Sequence, residues 1–443
     1  MAQDTMGDRS ETPAHRGEPP ASTSTVGSVL QAVSLAAAAG LLSGFAAIAL
    51  RWLIPTWHHL LFMGSAAASV SAIVPLLPAI GGLLAGTLVD ALAVEARGAG
   101  VSQVLMARSL HGSRIRPRVA GVKLLATSLV LGSGGSAGMV GPMVQIGAAL
   151  GSAVGQRSGM PEERLRVLLA AGAAAGIAAA VNAPMAGLLF ALEVILLELH
   201  PLALAMMALA VTTGAETARL VLGDAPLLGA HHYSLETPAQ LGPFLLLGGA
   251  AGSAAVVFSH GLHRVQNLFS RPSIPVQLRL AMGGLAVGAI GLAFPQVHGL
   301  GFETMQASLE GRFPLALLVA LLVAKMAASW MTVGSGASGG VVGPSLYLGA
   351  ALGGAFGILL GALFPDIGMA SGAYALAGMA ALFGSAFHAP LTAIAFGVEL
   401  TGDYQMLLPL AVATTAGRIV AGRISPHTIY SIGSTRQGID LRR

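Results

Sequence analysis

The residues of this sequence that are best suited to binding a ligand lie in two copies of a glycine-rich motif. GSGGSAGMVGP covers Gly132–Pro142 and GSGASGGVVGP covers Gly334–Pro344, at an offset of 202 residues and with identity at eight of eleven positions. Each copy ends in proline before an apolar run, and proline is favoured in the first turn of a helix. The first N–H groups of a helix lack intrahelical partners, and the helix dipole adds about half a positive charge there. Because glycine lets a ligand approach closely, each motif predicts an anion site made from backbone N–H groups.

The two motifs contain no lysine or arginine, which suits an anion that must also leave. Burying an unpaired ion costs on the order of tens of kcal/mol by Born estimates, and a full positive charge would offset this cost but retain the ion. Partial charges at helix starts bind weakly enough for conduction.

Other readings of the two motifs have less support. No Gly-Lys-Ser/Thr follows either motif, so a P-loop is excluded. The alternative, that the glycines only permit close helix packing, is weakened by the duplication. Four serines could donate to an anion or cap the loop backbone: Ser133, Ser136, Ser335 and Ser338.

A second duplicated segment indicates two homologous halves. NAPMAGLLFALEV covers Asn182–Val194 and HAPLTAIAFGVEL covers His388–Leu400, at an offset of 206 residues. Repeats with interrupted helices at corresponding places point to a substrate site between the halves. Glu193 and Glu399 occupy equivalent positions, and acids inside a membrane are functional candidates. Their equivalence favours a structural hydrogen-bonding role over proton transfer.

The composition indicates an integral membrane protein built from helices. Of 443 residues, 54% are hydrophobic and 9% are charged, with a mean hydropathy of +0.76, whereas soluble domains have about 25% charged residues. A bilayer admits helices or closed barrels, and the long runs of Ala, Leu and Gly are unlike the alternating strands of a barrel. The net charge of +4 is assigned to arginines that flank membrane spans, rather than to nucleic-acid binding.

Metal, cofactor and enzyme chemistry have no support in the residue pattern. The chain has no cysteine, which excludes disulfides, Cys-ligated zinc and iron–sulfur clusters. The pairs His58-His59 and His231-His232 have no accompanying acid at ligand spacing, so we interpret them as interfacial or loop residues. No nucleophile–base pair or cofactor motif is present, and we expect no cofactor, no metal and no enzyme activity. Lys123 begins an apolar segment, where it either adds positive potential to a pore or extends to the interface.

Hydropathy predicts fourteen helical segments, several of them shorter than the roughly 20 residues of a full span. Short or broken membrane helices are tolerated where they are buried in protein or line a cavity, which favours a transport protein. We expect a disordered cytoplasmic tail (1–26), a first membrane repeat (27–222), a connecting loop (223–238), a second repeat (239–424) and a C-terminal helix or tail (425–443). The segments are 28–54, 73–94, 119–132, 141–156, 164–180, 184–199, 202–221, 240–268, 276–294, 314–333, 341–363, 369–384, 388–400 and 405–421.

The order of the motifs resembles the CLC family of chloride channels and chloride/proton antiporters. The family's Gly-Ser-Gly-x-Pro element corresponds to GAGVS (Gly98–Ser102) and its Gly-Lys/Arg-Glu-Gly-Pro element to GMVGP (Gly138–Pro142). Its Gly-x-Phe-x-Pro element corresponds to GVVGP (Gly340–Pro344), and its late tyrosine corresponds to Tyr430. The resemblance covers about residues 28–435, essentially the whole membrane domain.

The resemblance implies an all-α polytopic membrane protein with two inverted-topology repeats and broken, tilted helices. It also implies a homodimer in the lipid bilayer with one pathway per subunit for chloride or another small anion. We expect a multi-pass protein of the bacterial inner membrane with both termini in the cytoplasm. The implied anion-binding residues are Ala99, Gly100, Gly138, Met139, Val140, Gly141, Val341, Val342 and Tyr430, with gate positions at Val140 and Val342.

Departures from the family's pattern change the expected function. Val140 stands where the family has its external gating glutamate, and Val194 stands where its antiporters usually have an internal proton glutamate. Ala99 and Ser102 replace the serine and proline of the first element, and Val342 replaces the phenylalanine of the third. Valine carries no proton and cannot compete with an anion.

We therefore predict a passive anion channel without proton coupling, with an open outer site because the gating carboxylate is missing. The alternative is an anion/proton exchanger for chloride or fluoride with a non-standard proton pathway. In that case an acid such as Glu193 or Glu399 would carry the proton.

Overall fold

The computed structural model describes residues 26–62, 74–198, 200–229, 231–270, 274–365 and 369–432. Within these ranges the chain forms sixteen α-helices and no β-strand. The helices are α1 (Val26–Phe62), α2 (Leu77–Leu92), α3 (Val101–Leu110), α4 (Arg118–Gly132), α5 (Val140–Arg157), α6 (Glu162–Val181), α7 (Pro184–Phe190), α8 (Pro201–Leu222), α9 (Leu241–Phe269), α10 (Val276–Ala293), α11 (Phe302–Leu309), α12 (Leu315–Gly334), α13 (Val342–Leu363), α14 (Ser371–Phe387), α15 (Pro390–Thr401) and α16 (Leu407–Ile424).

Nine helices of the described ranges are long and apolar enough to cross a membrane. Other apolar helices, among them α14 and α15, are shorter than a full span. Short helices of this kind are stable at membrane depth because neighbouring helices surround them. The all-α polytopic fold predicted from the composition is confirmed.

Glycines bring helices into backbone contact in both halves. Helix α5 packs on α6, and α13 packs on α14. A Cβ on Gly147 of α5 would lie 2.0 Å from the carbonyl oxygen of Gly172 on α6. A Cβ on Gly349 of α13 would lie 2.3 Å from the carbonyl oxygen of Gly378 on α14. Glycines outside the two motifs therefore allow these helix pairs to pack closely, as small residues do in membrane proteins.

Helices α7 and α15 run in opposite directions, as an inverted repeat requires. Both begin with proline after the repeated alanine, and α7 continues as a π-helical turn over Ala191–Leu196. Glu399 at the end of α15 accepts hydrogen bonds from the start of α7. Glu193 at the end of the α7 segment accepts hydrogen bonds from the start of α15. Each helix therefore begins where its counterpart from the other half ends.

All fourteen predicted segments correspond to helices, and most ends agree within three residues; α1 is longer than predicted. The hydropathy pattern does not reveal α3 and α11, because each is short and carries polar residues. The predicted tail 1–26 lies outside the described residues apart from Val26. The predicted segment 425–443 is described only as far as Ile432.

Candidate anion pathway

The two glycine-rich motifs meet in the buried interior. Gly138 N donates to Gly340 O at 2.8 Å, and Gly340 N donates to Gly138 O at 2.7 Å, which forms an isolated antiparallel bridge. A Cβ on Gly138 would lie 2.7 Å from the backbone nitrogen of Gly343. The bridge therefore requires glycine, and it brings together the starts of α5 and α13, one from each half.

Helices α5 and α13 begin at equivalent positions of the two motifs. Met139 is the N-cap of α5 and Val341 is the N-cap of α13, and neither side chain caps its helix. Val140 and Val342 are the first helical residues and are 3% and 0% exposed. The first N–H groups of a helix have no intrahelical acceptor. These buried backbone donors are thus suited to an anion.

The first sequence element of the resemblance, GAGVS, packs directly onto the start of α5. Gly100 is the N-cap of α3 with φ +96°, a conformation that favours glycine. A Cβ on Gly100 would lie 2.5 Å from the carbonyl oxygen of Gly141, and a Cβ on Gly141 would lie 2.4 Å from that of Ala99. Gly98 N donates to Gly336 O at 3.1 Å. The structure thus brings the first element together with both motifs.

Tyr430 lies in the interior near the end of the described chain. Its side chain is 5% exposed, and its ring centroid lies 5.2 Å from that of Phe387. The hydroxyl has no hydrogen-bond partner among the described residues. Burial raises the pKa of Tyr430 well above its ordinary value, so the hydroxyl keeps its proton. A buried donor without an acceptor is unfavourable, and a bound anion would satisfy it.

The four motif serines all have partners within the protein. The hydroxyls of Ser133 and Ser335 bond to the preceding helical turn, and those of Ser136 and Ser338 bond to hydroxyls of the opposite half, which ties the halves together. All four hydroxyls therefore have structural partners. The bonds are Ser133 Oγ to Val130 O (3.0 Å), Ser335 Oγ to Thr332 O (2.8 Å), Ser136 Oγ with Ser329 Oγ (3.4 Å) and Ser338 Oγ with Thr127 Oγ1 (2.9 Å).

Glu193 and Glu399 cap helix starts of opposite halves. The Glu399 carboxylate accepts from Met185 N and Ala186 N, both at 2.8 Å. Glu193 accepts three hydrogen bonds from the start of α15, one of them from the Thr392 hydroxyl at 2.6 Å. A helix start stabilises a carboxylate through its free N–H groups and its dipole. Both carboxylates therefore make the hydrogen bonds that the predicted structural role requires.

Val140, which stands at the expected gate position, is buried in the described conformation. Its side chain is 3% exposed, and that of the adjacent Met139 is 2% exposed. An aliphatic side chain gains free energy from packing in the interior, whereas a carboxylate there would need compensating partners. In the described conformation the start of α5 is enclosed, so loss of the gating carboxylate does not by itself expose this position.

Ion pairs lie at the end of α2 and in the loop that precedes α4. Arg97 pairs with Asp90, and Arg116 pairs with Glu95. Partial burial alone would raise the pKa of Glu95, but the hydrogen bond and positive charge of Arg116 outweigh it and hold that pKa below its ordinary value. In the part of the chain that the structure describes, no three His, Asp or Glu side chains are grouped as metal ligands would be.

Known proteins are similar in sequence to this chain over most of its length. The family model described as voltage gated chloride channel matches residues 81–422. A ClcB-like protein of Ralstonia nicotianae is 34% identical over 373 residues, which cover 83% of this chain and 87% of that protein. The H(+)/Cl(−) exchange transporter ClcA of Citrobacter koseri is 33% identical over 360 residues, covering 78% of this chain and 74% of that protein.

Solved structures share the fold at lower sequence identity. A slow cyanobacterial Cl−/H+ antiporter aligns with a TM-score of 0.81 at 24% identity, covering 93% of this chain and 99% of that chain. A CLC-type fluoride/proton antiporter aligns with a TM-score of 0.78 at 23% identity, covering 92% and 98%. The joined motifs, the helix order and the extent of these matches lead to one conclusion: the chain belongs to the voltage-gated chloride channel (CLC) family.

Proposed function

We propose that this protein is a passive anion channel, conducting chloride through a pathway in each subunit without proton coupling. Membership of the family supports anion transport, and named relatives include proton-coupled exchangers. The observation that favours a channel is the pair Val140 and Val194, which stand at the two positions where the resemblance implies proton-carrying glutamates. Neither side chain binds or releases a proton, so this route offers no coupling.

The anion would be held by neutral donors along the pathway. We assign the central position to the N–H groups of Val341 and Val342 with the Tyr430 hydroxyl. Ala99 and Gly100 belong to the same central position, and the backbone of Gly138–Gly141 forms the outer position, where Met139 and Val140 lie. Partial charges replace part of the hydration shell without trapping the ion, which permits conduction.

The distribution of arginines supports a topology with both termini in the cytoplasm. The loop before α4 is joined to the far end of α5 by Ser152 Oγ donating to Ser113 O at 2.8 Å. The end of α1 packs on the end of α4, since a Cβ on Gly132 would lie 2.4 Å from Trp57 Cβ, so α1 begins at this basic end. Positive residues face the cytoplasm, and we place the protein as a homodimer in a bacterial inner membrane. The end of the molecule at the loop before α4 carries more arginines than the opposite end, which has Arg219 and Arg312. The arginines at this basic end include Arg97, Arg108, Arg114, Arg116, Arg118, Arg157, Arg164, Arg166, Arg418 and Arg423.

Flux from liposomes tests the proposal directly. Purified protein in vesicles with a chloride gradient should release chloride when a potassium ionophore clamps the voltage, with no stoichiometric movement of protons. Val140→Glu should slow this flux and make it pH-dependent, because a carboxylate would compete with the anion for the same N–H groups. Val140→Gln is the matched control and should be pH-independent. Uphill proton movement driven by chloride in the parent protein contradicts the channel.

A cavity beside Tyr430 favours an exchanger as the second candidate. It has a volume of about 280 Å³ and is lined by Glu193, His388 and Arg418 as well as by Tyr430. An acid in such a cavity could carry protons past the valines. This candidate predicts proton movement in the parent protein and its loss in Glu193→Gln with chloride flux retained.

A further inference from the structure

Two fully buried lysines occupy equivalent places in the two halves. Lys123 in α4 and Lys325 in α12 are both 0% exposed and are separated by the same 202 residues as the motifs. Lys123 Nζ donates to Ala96 O at 3.0 Å and to Gly98 O at 2.6 Å. Lys325 Nζ makes the equivalent bonds, to Val297 O at 2.9 Å and to Gly299 O at 3.0 Å.

The loops held by these lysines have the same construction. One loop precedes α3 and the other precedes α11, and each has positive φ at two glycines, which are Gly98 (+72°) and Gly100 (+96°) in the first and Gly299 (+61°) and Gly301 (+77°) in the second. Each loop also donates to the motif of the opposite half. These bonds are Gly98 N to Gly336 O at 3.1 Å and Gly299 N to Gly134 O at 3.4 Å. The loop before α11 is therefore the structural counterpart of the GAGVS element.

Neither ammonium group has a carboxylate partner. Among the described residues, neither Lys123 nor Lys325 takes part in a salt bridge. Lys325 Nζ also lies 4.9 Å from the ring centroid of Tyr347, an arrangement that attracts a cation. An ammonium group has three N–H donors, and two carbonyl oxygens satisfy two of them. Burial without an acid partner disfavours the charged form of each lysine, and an anion in the pathway would stabilise that form.

We propose that Lys123 and Lys325 are paired positioning residues of the anion pathway, one towards each mouth. Each holds its glycine loop against the opposite motif, and in its charged form it raises the local concentration of anions. The inference rests on the proposed anion pathway and extends it to the loop before α11. Backbone donors bind the ion, and the lysine charges exclude cations without touching it.

Neutral and charge-retaining variants separate charge from packing. The variants are Lys123→Met and Lys325→Met, with Lys123→Arg and Lys325→Arg as matched controls. For an illustrative separation of about 10 Å and an effective dielectric constant of about 20, a unit charge changes anion occupancy about tenfold. We expect each methionine variant to lower chloride flux at low chloride concentration about tenfold and to lower the anion-to-cation permeability ratio from the reversal potential. The arginine variants should retain that ratio, and the difference in flux should shrink as chloride saturates the pathway.

A purely structural role gives a different result. Methionine variants would then lower the yield of folded protein or its thermal stability, while the permeability ratio of the folded fraction stayed unchanged, and that outcome overturns the inference. If a methionine variant does not fold, the corresponding Lys→Gln variant replaces it, because its amide keeps donors for the loop carbonyls. A parent protein that conducts no anion overturns the proposed function itself. A conducting parent whose neutral variants keep the same permeability ratio overturns this inference alone.

Discussion

Glu399→Gln separates a structural carboxylate from a proton-carrying one. The two carboxylate oxygens accept one backbone N–H each, from Met185 and Ala186, both at 2.8 Å. Glutamine keeps one carbonyl oxygen and places an NH2 group against the other N–H. One donor at the start of α7 therefore loses its acceptor, and the helix start loses a negative charge.

The loss can be estimated from these two contacts. A fully buried donor left without an acceptor costs about 1–3 kcal/mol, and a charge removed from a helix start costs about 0.3–1 kcal/mol. The Ala186 donor is partly buried and the Met185 donor is exposed, so we expect the free energy of unfolding to fall by about 1 kcal/mol. Glu193→Gln should have a similar effect at α15, because the two caps are equivalent. Glu303→Gln, an exposed residue in the first turn of α11, is the control and should change stability by less than about 0.5 kcal/mol.

The assay pairs thermal stability with transport. Detergent-solubilised protein is heated and the surviving folded fraction is measured by size-exclusion chromatography, while chloride and proton flux are measured in liposomes below the transition. For structural caps, both glutamine variants lose stability and leave the ratio of proton to chloride movement unchanged. Unchanged thermal stability together with a changed proton-to-chloride ratio would refute the reasoning.

Three further substitutions test the pathway and its surroundings. Tyr430→Phe removes the unpartnered hydroxyl and should weaken anion binding about tenfold or more, read from the chloride concentration that half-saturates flux; unaltered saturation would remove Tyr430 from the site. Gly138→Ala should destabilise the protein and abolish flux, because its Cβ would lie 2.7 Å from a backbone nitrogen. The control is Gly121→Ala in α4, whose Cβ meets nothing within 4 Å and which should stabilise the protein by about 0.5–1 kcal/mol. Equal thermal stabilities of the two variants would contradict this reasoning. The lowered pKa of Glu95 means that its pairing stabilises the fold above the ordinary carboxyl pKa of 4.5 and is lost as pH falls through the folded value. With both side chains roughly half exposed, the gain over Glu95→Gln should stay below about 1 kcal/mol and disappear in acid, and a gain that persists there would refute the assignment.

Local sequence signals predict the helices and the need for glycine in the two motifs. Which motif residues pair, and which side chains are buried, depends on tertiary packing. Each motif shows on its own that a helix begins after it, whereas the pairing of Gly138 with Gly340 depends on how the two halves meet. The burial of Val140 likewise depends on neighbours from other helices, which local sequence does not show. Lys325 could have been found, because it follows Lys123 by the same 202 residues as the motifs. The carbonyl groups that accept from Lys325 lie in the loop before α11, and the hydropathy pattern does not predict that loop or the helix after it.

An inverted duplication explains why one motif can serve twice around a single pathway. A parallel repeat would place the two helix starts in the same direction, whereas inversion lets α5 and α13 begin at the same bridge and extend away from it. The positive ends of both helix dipoles then meet in one buried region. Because backbone atoms form the two helix starts, the part of the proposed anion site that they supply depends on the fold rather than on the side chain at position 140. A side chain at a position such as Val140 can therefore change from carboxylate to aliphatic without dismantling the site, and transport can change from proton-coupled to passive while the helix arrangement stays the same.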